Sequence, residues 1–149
     1  WTVIALAQLK LGDEAMELFH MLNPINHMRT TEETERYRVE PYAVAADVYS
    51  QPPYVGRGGW SWYTGAAGWL HRAAVESIFG LQMDARSVCM VPCLPSHWPR
   101  AELTLKREGR TLQFILIRAE PALALAAAAA PAMVGMHGMR AVRAASRIR

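Results

Sequence analysis

Val55-Gly-Arg-Gly-Gly-Trp-Ser-Trp-Tyr-Thr-Gly-Ala-Ala-Gly-Trp69 is the stretch on which the fold prediction depends. Its fifteen residues hold five of the ten glycines and three of the five tryptophans. Glycines let a backbone approach a ligand closely, and tryptophan and tyrosine have flat faces that can stack on sugar rings. Apolar residues recur every three or four positions after Gly65, which predicts a helix to about Phe79, with Thr64 as N-cap and Gly80 as its stop. The loop before this helix is either a cradle for an anion or a tight turn packed against the helix.

The residues before this stretch predict short helices. Apolar spacing predicts one helix over Thr2–Leu11 and a second, with Asp13 as its N-cap, that Asn23-Pro24 ends. A helix hairpin of this kind occurs in solenoids and α/α barrels, although no repeat recurs along the chain. Thr31–Arg36 predicts a further short helix.

Two carboxylates, Glu40 and Asp47, lie among apolar residues ahead of the loop. Burial of a charge is costly without a partner, so they either contact sugar hydroxyls or pair with Arg38 or Arg57. His27 invites interpretation as a metal ligand, but no partner ligands stand at metal spacing. We therefore expect His27 to be an exposed loop histidine, and we expect no metal site.

The residues after Gly80 predict a small β part. Ser87–Val91 has strand character, and the alternating runs Ala101–Lys106 and Thr111–Ile117 flank the turn Glu108-Gly109. Alternation on both sides of such a turn predicts a β-hairpin.

The composition changes from about Arg118. Residues 121–149 are alanine-rich and contain no acid. Ala122–Met139 is apolar enough to suggest a membrane span, but Pro131 and Gly135 argue against one. We predict a disordered or marginally helical tail, and a frameshifted or truncated terminus is one hypothesis for its composition.

The net charge of +3 is unevenly distributed. All 13 acidic residues and 12 of the 16 basic residues lie at or before Glu120, so this part has one net negative charge. The basic pI therefore belongs to the tail, and we expect no nucleic-acid partner.

The overall composition, 52% hydrophobic and 19% charged, fits one modest globular domain. No segment resembles a secretory signal, and the chain opens at Trp1 within a helical pattern, which predicts a fragment of a longer protein. Cys89 and Cys93 are too few for a disulfide framework, so we expect reduced, structural thiols in a cytoplasmic setting.

Five stretches carry a family resemblance, in order and at native-looking spacing: Ile4–Asp13, Leu22–His27, Arg36–Tyr49, Val55–Trp69 and Pro92–Pro99. Together they resemble the C-terminal part of the inverting disaccharide phosphorylases of glycoside hydrolase family 94, above all the phosphorylase-like domain of cyclic β-1,2-glucan synthases. Each motif is weak alone, but the series is specific and covers about residues 1–118.

The resemblance implies a mainly α fold with a small β part. Residues 1–80 would form the terminal helices and loops of an (α/α)6 barrel, and residues 81–118 part of a C-terminal β domain with a hairpin. Residues 119–149 would remain a disordered Ala/Arg-rich tail. The family reaction is reversible phosphorolysis of a β-glucoside with inversion, which needs no cofactor and uses inorganic phosphate as co-substrate.

The resemblance also implies a site. Thr64 and Gly65 match the family's Thr-Gly phosphate contact. The family's catalytic aspartate and a phosphate-binding histidine lie upstream of Trp1, so we expect no catalytic residue here and an inactive isolated chain. The candidate sugar-binding residues are Glu40, Asp47, Arg57, Trp60, Trp62 and Tyr63.

The leading hypothesis is thus a fragment of a carbohydrate phosphorylase or glucan synthase whose partners are a β-linked glucan and phosphate. The resemblance allows a membrane-associated parent, an inner-membrane glucan synthase with this domain on the cytoplasmic side. One alternative is a non-catalytic carbohydrate-binding or interaction module that uses Trp60, Trp62, Tyr63 and Trp69. Another is an inert remnant, because half a barrel leaves large apolar faces uncovered.

Overall fold

The computed structural model describes residues 1–62, 65–84, 87–107, 109–118, 139–141 and 145–147. The helices lie before residue 80: α1 Thr2–Gln8, α2 Gly12–Leu22, a 3-10 turn Pro24–His27, α3 Thr31–Tyr37, and α4 Ala66–Arg72, which continues as a π-helix over Ala73–Ile78. The strands follow: β1 Leu81–Met83, β2 Val88–Met90, β3 Arg100–Arg107, β4 Arg110–Arg118, β5 Met139–Ala141 and β6 Ala145–Arg147. No helix in these ranges is both long enough and apolar enough to cross a membrane.

The predicted β-hairpin is confirmed. β3 and β4 are antiparallel, with Leu103 opposite Phe114 and Leu105 opposite Leu112. Because side chains alternate along a strand, these residues share one face of the sheet. That face packs on the helices, where Phe114 is buried and the three leucines are half-buried.

Strands β1, β5 and β6 are not indicated by the sequence pattern, whereas β2 lies within the predicted strand Ser87–Val91. β1 pairs antiparallel with β2, while β5 and β6 each pair antiparallel with β4. The prediction of a disordered or marginally helical tail therefore does not hold at Met139–Ala141 and Ala145–Arg147. Strands of three residues are too short for alternation to distinguish them from an alanine-rich background. The rest of residues 119–149 lies outside the described part of the chain.

The helices and the hairpin contribute to one hydrophobic core. Burial of this apolar surface is the main favourable term that holds the two parts together. The buried members are Val3, Ala7, Ala15, Met16, Ala73, Ile78, Phe79, Leu81, Met90, Cys93, Leu94, Phe114 and Leu116. Both cysteines are free, and burial raises the pKa of the Cys93 thiol.

The chain between β2 and β3 joins the helices to the hairpin through polar contacts. Arg118 Nη2 donates to the carbonyl of Pro95 at 2.8 Å, and the Arg118 backbone N–H donates to that of Pro99 at 2.9 Å. Asp13 Oδ1 accepts the backbone N–H of Ser96 at 2.6 Å. The prediction of Asp13 as the N-cap of α2 is wrong, because the helix begins at Gly12 and this carboxylate is used by a residue 83 positions away.

Loss of the Asp13 carboxylate should destabilise the fold in a pH-dependent way. The hydrogen bond from the Ser96 backbone holds the pKa of Asp13 below its ordinary value of 3.8. Because the folded-state pKa is depressed, the stabilisation is present above the unfolded-state pKa and is lost as pH falls through the folded-state value. We expect Asp13→Ala to lower the urea midpoint at pH 7, with a gap to wild type that shrinks below pH ~4. An equal gap at pH 7 and at pH ~2.5, below the ordinary range, would contradict a role for the ionised carboxylate.

Candidate functional site

The first half of the glycine- and tryptophan-rich stretch is one arm of a small hairpin. The Ala46 N–H donates to the Trp60 carbonyl at 2.7 Å, and the Tyr49 N–H donates to the Arg57 carbonyl at 2.9 Å. Between them Val48 and Gly58 form a β-bridge. The pairing brings residues 46–49 beside residues 57–60, so the two segments that the sequence indicated separately form one unit.

A second small core supports this hairpin. Tyr37, Val39 and Ala43 are buried together, and the Gly58 N–H donates to the Tyr37 carbonyl at 2.8 Å. Burial raises the pKa of the Tyr37 phenol. His27 stacks on the Tyr37 ring with 4.8 Å between ring centroids.

The prediction of His27 as an exposed loop histidine is wrong. It lies at the end of the 3-10 turn, is half-buried, and its Nε2 is 2.6 Å from the carbonyl oxygen of Met21. The contact joins the 3-10 turn to the last turn of α2, and apolar periodicity does not predict such a side-chain contact. Among the described residues no group of three or more histidine, cysteine, aspartate or glutamate side chains is arranged to hold a metal ion.

Trp62 is exposed and unusually constrained. Its side chain is 69% exposed, yet its backbone lies in the left-handed region with φ of +59°. A bulky residue in this region is an outlier, and such outliers persist only where the surroundings impose them. Trp62 Nε1–H donates to Glu40 Oε1 at 3.4 Å, and the ring of Tyr42 meets the indole edge-on with 5.7 Å between centroids.

Trp60 is the second exposed tryptophan of the stretch, at 70%. Its backbone N–H donates to Asp47 Oδ1 at 3.1 Å. The carboxylate lies directly against Gly59, where a Cβ would overlap its oxygens. We call Trp60 and Trp62 the tryptophan wall.

The alternative in which Glu40 and Asp47 pair with arginines is wrong. Among the described residues neither carboxylate forms an ion pair with Arg38 or Arg57. Arg38 Nε donates to the carbonyl of Glu35, and the Arg57 guanidinium lies over the ring of Tyr54, 5.5 Å from its centroid. Charge complementarity in the sequence suggested the pairing, but the tertiary contacts of both carboxylates are with the tryptophan wall.

The helix predicted after Gly65 is present, but its N-cap is not the residue that the sequence predicted. Gly65 itself is the N-cap of α4, with φ of +95°, a conformation that glycine adopts without strain. The predicted N-cap Thr64 and the candidate sugar contact Tyr63 lie outside the described residues. Gly80, with φ of +83°, follows the helical segment as predicted.

The exposed face of α4 carries an arginine–tryptophan stack. The Arg72 guanidinium lies 4.8 Å from the centroid of Trp69 and donates three hydrogen bonds to the Glu76 carboxylate, two from Nε and one from Nη2. Hydrogen bonding within this pair raises the pKa of Arg72 and lowers that of Glu76. Trp69 also meets Trp1, with 4.3 Å between ring centroids. The described part of the stretch therefore presents aromatic surface on both sides of Gly65.

Comparison with known sequences shows the family to which this stretch belongs. A sequence model of the glycosyl hydrolase 94 superfamily, catalytic domain, matches residues 1–80, and the chain belongs to this family. The resemblance noted from the sequence motifs is thereby confirmed.

Three curated relatives show which members of the family the chain is similar to. Cyclic β-(1,2)-glucan synthase NdvB of Rhizobium meliloti (strain 1021) is 46% identical over 111 residues, which cover 74% of this chain and 4% of the relative. N,N'-diacetylchitobiose phosphorylase of Vibrio proteolyticus is 32% identical over 112 residues, 74% of this chain and 14% of the relative. Solabiose phosphorylase of Paenibacillus borealis is 29% identical over 107 residues, 70% of this chain and 13% of the relative. The chain thus spans a small part of the length of each relative.

Proposed function

We propose that this chain forms the sugar and phosphate wall of an active site that transfers a glucosyl group between a β-linked glucan and phosphate. The observation that carries the proposal is the tryptophan wall. Two large aromatic side chains are about 70% exposed within the family-matched region, and one of them is held in a strained backbone conformation. Strained residues cluster at ligand clamps, and exposed aromatic faces suit the apolar faces of a sugar ring.

Phosphate is proposed to bind beside this wall, at Thr64 and Gly65. Both residues match the phosphate contact of the family, and Gly65 lies three residues after Trp62. The absence of a Cβ at Gly65 leaves its backbone N–H open to close approach by an anion. The order along the chain would then place the sugar and the attacking phosphate side by side.

The chemistry follows from this placement. A phosphate oxygen attacks the anomeric carbon while a carboxylic acid protonates the leaving glycosidic oxygen, so the configuration inverts in one displacement. The wall holds the glucosyl ring in line with the phosphate, and Arg57, Trp60, Trp62 and Tyr63 are the proposed sugar contacts. The general acid is proposed to come from a part of the family fold that precedes the residues matched here. No cofactor is required.

The names of two relatives, a cyclic β-(1,2)-glucan synthase and an N,N'-diacetylchitobiose phosphorylase, support two settings for this reaction, glucan synthesis and disaccharide phosphorolysis. We place the reaction on the cytoplasmic side of the inner membrane, in a membrane-associated parent synthase. A non-catalytic glucan-binding module is the second candidate, because the same exposed wall could bind glucan without phosphate.

The 149-residue chain alone should bind glucan and phosphate but release no glucose 1-phosphate, because the general acid is not among its matched residues. The measurement is a coupled assay for glucose 1-phosphate with linear β-1,2-glucan and inorganic phosphate. The Vibrio proteolyticus phosphorylase with diacetylchitobiose, assayed for release of its own sugar phosphate, serves as positive control. Turnover by the chain alone would overturn the assignment of the acid to another segment.

A further inference from the structure

We infer that Glu40 and Asp47 are positioning residues, which orient the tryptophan wall and do not themselves bind the sugar. This inference rests on the proposed sugar site. It reassigns the two carboxylates that the sequence pattern indicated as sugar contacts.

Glu40 acts on the side chain of Trp62. The indole N–H is the only hydrogen-bond donor of a tryptophan side chain, and here it is directed to Glu40 Oε1 at 3.4 Å. The Tyr42 ring contacts the indole edge-on, so the carboxylate and the phenol ring together fix the plane of the indole. A Glu40 side chain that turned toward a sugar hydroxyl would release Trp62 from this orientation.

Asp47 acts on the backbone of Trp60. Its carboxylate accepts the Trp60 N–H at 3.1 Å, and its own carbonyl accepts the Gly59 N–H at 2.9 Å. The missing side chain of Gly59 is what lets the carboxylate lie against the opposite arm of the hairpin. The carboxylate therefore sets where the chain leaves the hairpin and enters the wall.

Asp47 and Glu40 contact the two tryptophans of the wall, Asp47 through the backbone of Trp60 and Glu40 through the side chain of Trp62. Glu40 lies before the hairpin and Asp47 lies on its first arm, so one continuous segment positions both tryptophans. Neither carboxylate forms an ion pair with Arg38 or Arg57, and the side-chain hydrogen bonds that the described residues show for them are those to the tryptophans.

A double-mutant cycle tests the role of Glu40. Binding of a linear β-1,2-gluco-oligosaccharide to the full 149-residue chain is measured by titration calorimetry for wild type, Glu40→Ala, Trp62→Phe and the double variant. Phenylalanine keeps an aromatic face but has no N–H. We expect Glu40→Ala to weaken binding about tenfold, the upper end of the cost of ordering a freed side chain on binding, and to have no further effect in the Trp62→Phe background. Glu40→Gln, which keeps the acceptor oxygen, should bind within about threefold of wild type.

An equal loss on removing Glu40 in both backgrounds would overturn the inference and make Glu40 a direct sugar ligand. The matching cycle for Asp47 uses Asp47→Ala with and without Trp60→Ala, and Asp47→Asn as the conservative variant. Because Trp60→Ala keeps the backbone N–H that Asp47 accepts, the conservative variant decides this case. Asp47→Asn, whose amide oxygen can still accept that N–H, should bind within about threefold of wild type, and a loss as large as that of Asp47→Ala would overturn the positioning role. If wild type binds no oligosaccharide at all, the proposed sugar site itself fails, which is a different result from either cycle. Thermal melts of each variant establish that the fold is intact.

Discussion

Replacement of Gly80 by alanine is expected to lower the melting temperature more than replacement of Gly109 or Gly68. Gly80 has φ of +83°, and a Cβ at this position would overlap the carbonyl of Val91 and the nitrogen of Pro92. The left-handed backbone costs an L residue about 1–2 kcal/mol, and forced overlap in a packed region adds about 1–3 kcal/mol. A loss of about 2–5 kcal/mol is a large part of the roughly 5–15 kcal/mol that stabilises a domain. The expected fall in melting temperature is about 5–20 °C.

Substitutions at two other glycines separate the cost of the left-handed backbone from the cost of steric overlap. Gly109 also has a positive φ, +73°, but a Cβ there would meet nothing within 4 Å, so Gly109→Ala should cost only the backbone term of about 1–2 kcal/mol. Gly68 lies inside α4 with open space around it, so Gly68→Ala should stabilise the chain by about 1 kcal/mol. Equal melting temperatures for the Gly80 and Gly109 variants would show that the chain at Val91-Pro92 moves aside freely.

Replacement of Trp62 by alanine is expected to reduce glucan affinity about 30-fold or more. Aromatic anchors at the centre of binding sites typically contribute at least ~2 kcal/mol, and each 1.4 kcal/mol corresponds to about a tenfold change in affinity. Truncation removes the stacking face and also leaves Glu40 without its indole donor. Titration calorimetry with linear β-1,2-gluco-oligosaccharides measures the effect.

Trp1 provides the matched control for this change. Its side chain is 82% exposed, and its ring contact is with Trp69 rather than with the tryptophan wall. Trp1→Ala should therefore leave glucan affinity within about twofold of wild type, as expected for a residue outside the binding hot spot. Equal losses in the two variants would mean that exposed aromatic area in general, and not this wall, binds the sugar.

Much of the fold follows from local patterns in the sequence. Helices α1, α2 and α4 and the β3–β4 hairpin lie where apolar periodicity and the Glu108-Gly109 turn predict them, and α3 lies over the polar run predicted as a short helix. The contact between Asp13 and Ser96 could not be predicted in this way, because it joins residues 83 positions apart. The preference of aspartate for helix N-caps depends only on neighbouring residues, and here the hydrogen bond from Ser96 to the same carboxylate overrides it.

The candidate site could likewise be predicted only in part from the sequence. The sequence pattern indicated the tryptophans and the two preceding carboxylates as candidate sugar contacts, with a packed turn and ion pairs as the alternatives. The indole of Trp62 and the carboxylate of Glu40 are 22 residues apart, and only the folded hairpin brings them together. The left-handed backbone of Trp62 likewise had no sequence signal, since tryptophan has no preference for that conformation.

The central claim is that this wall belongs to a site shared by glucan and phosphate. Intrinsic tryptophan fluorescence, titrated with linear β-1,2-gluco-oligosaccharides at several phosphate concentrations, tests it most directly. The predicted result is saturable quenching whose midpoint shifts with phosphate. Saturable quenching that is indifferent to phosphate, or no quenching at all, would contradict it.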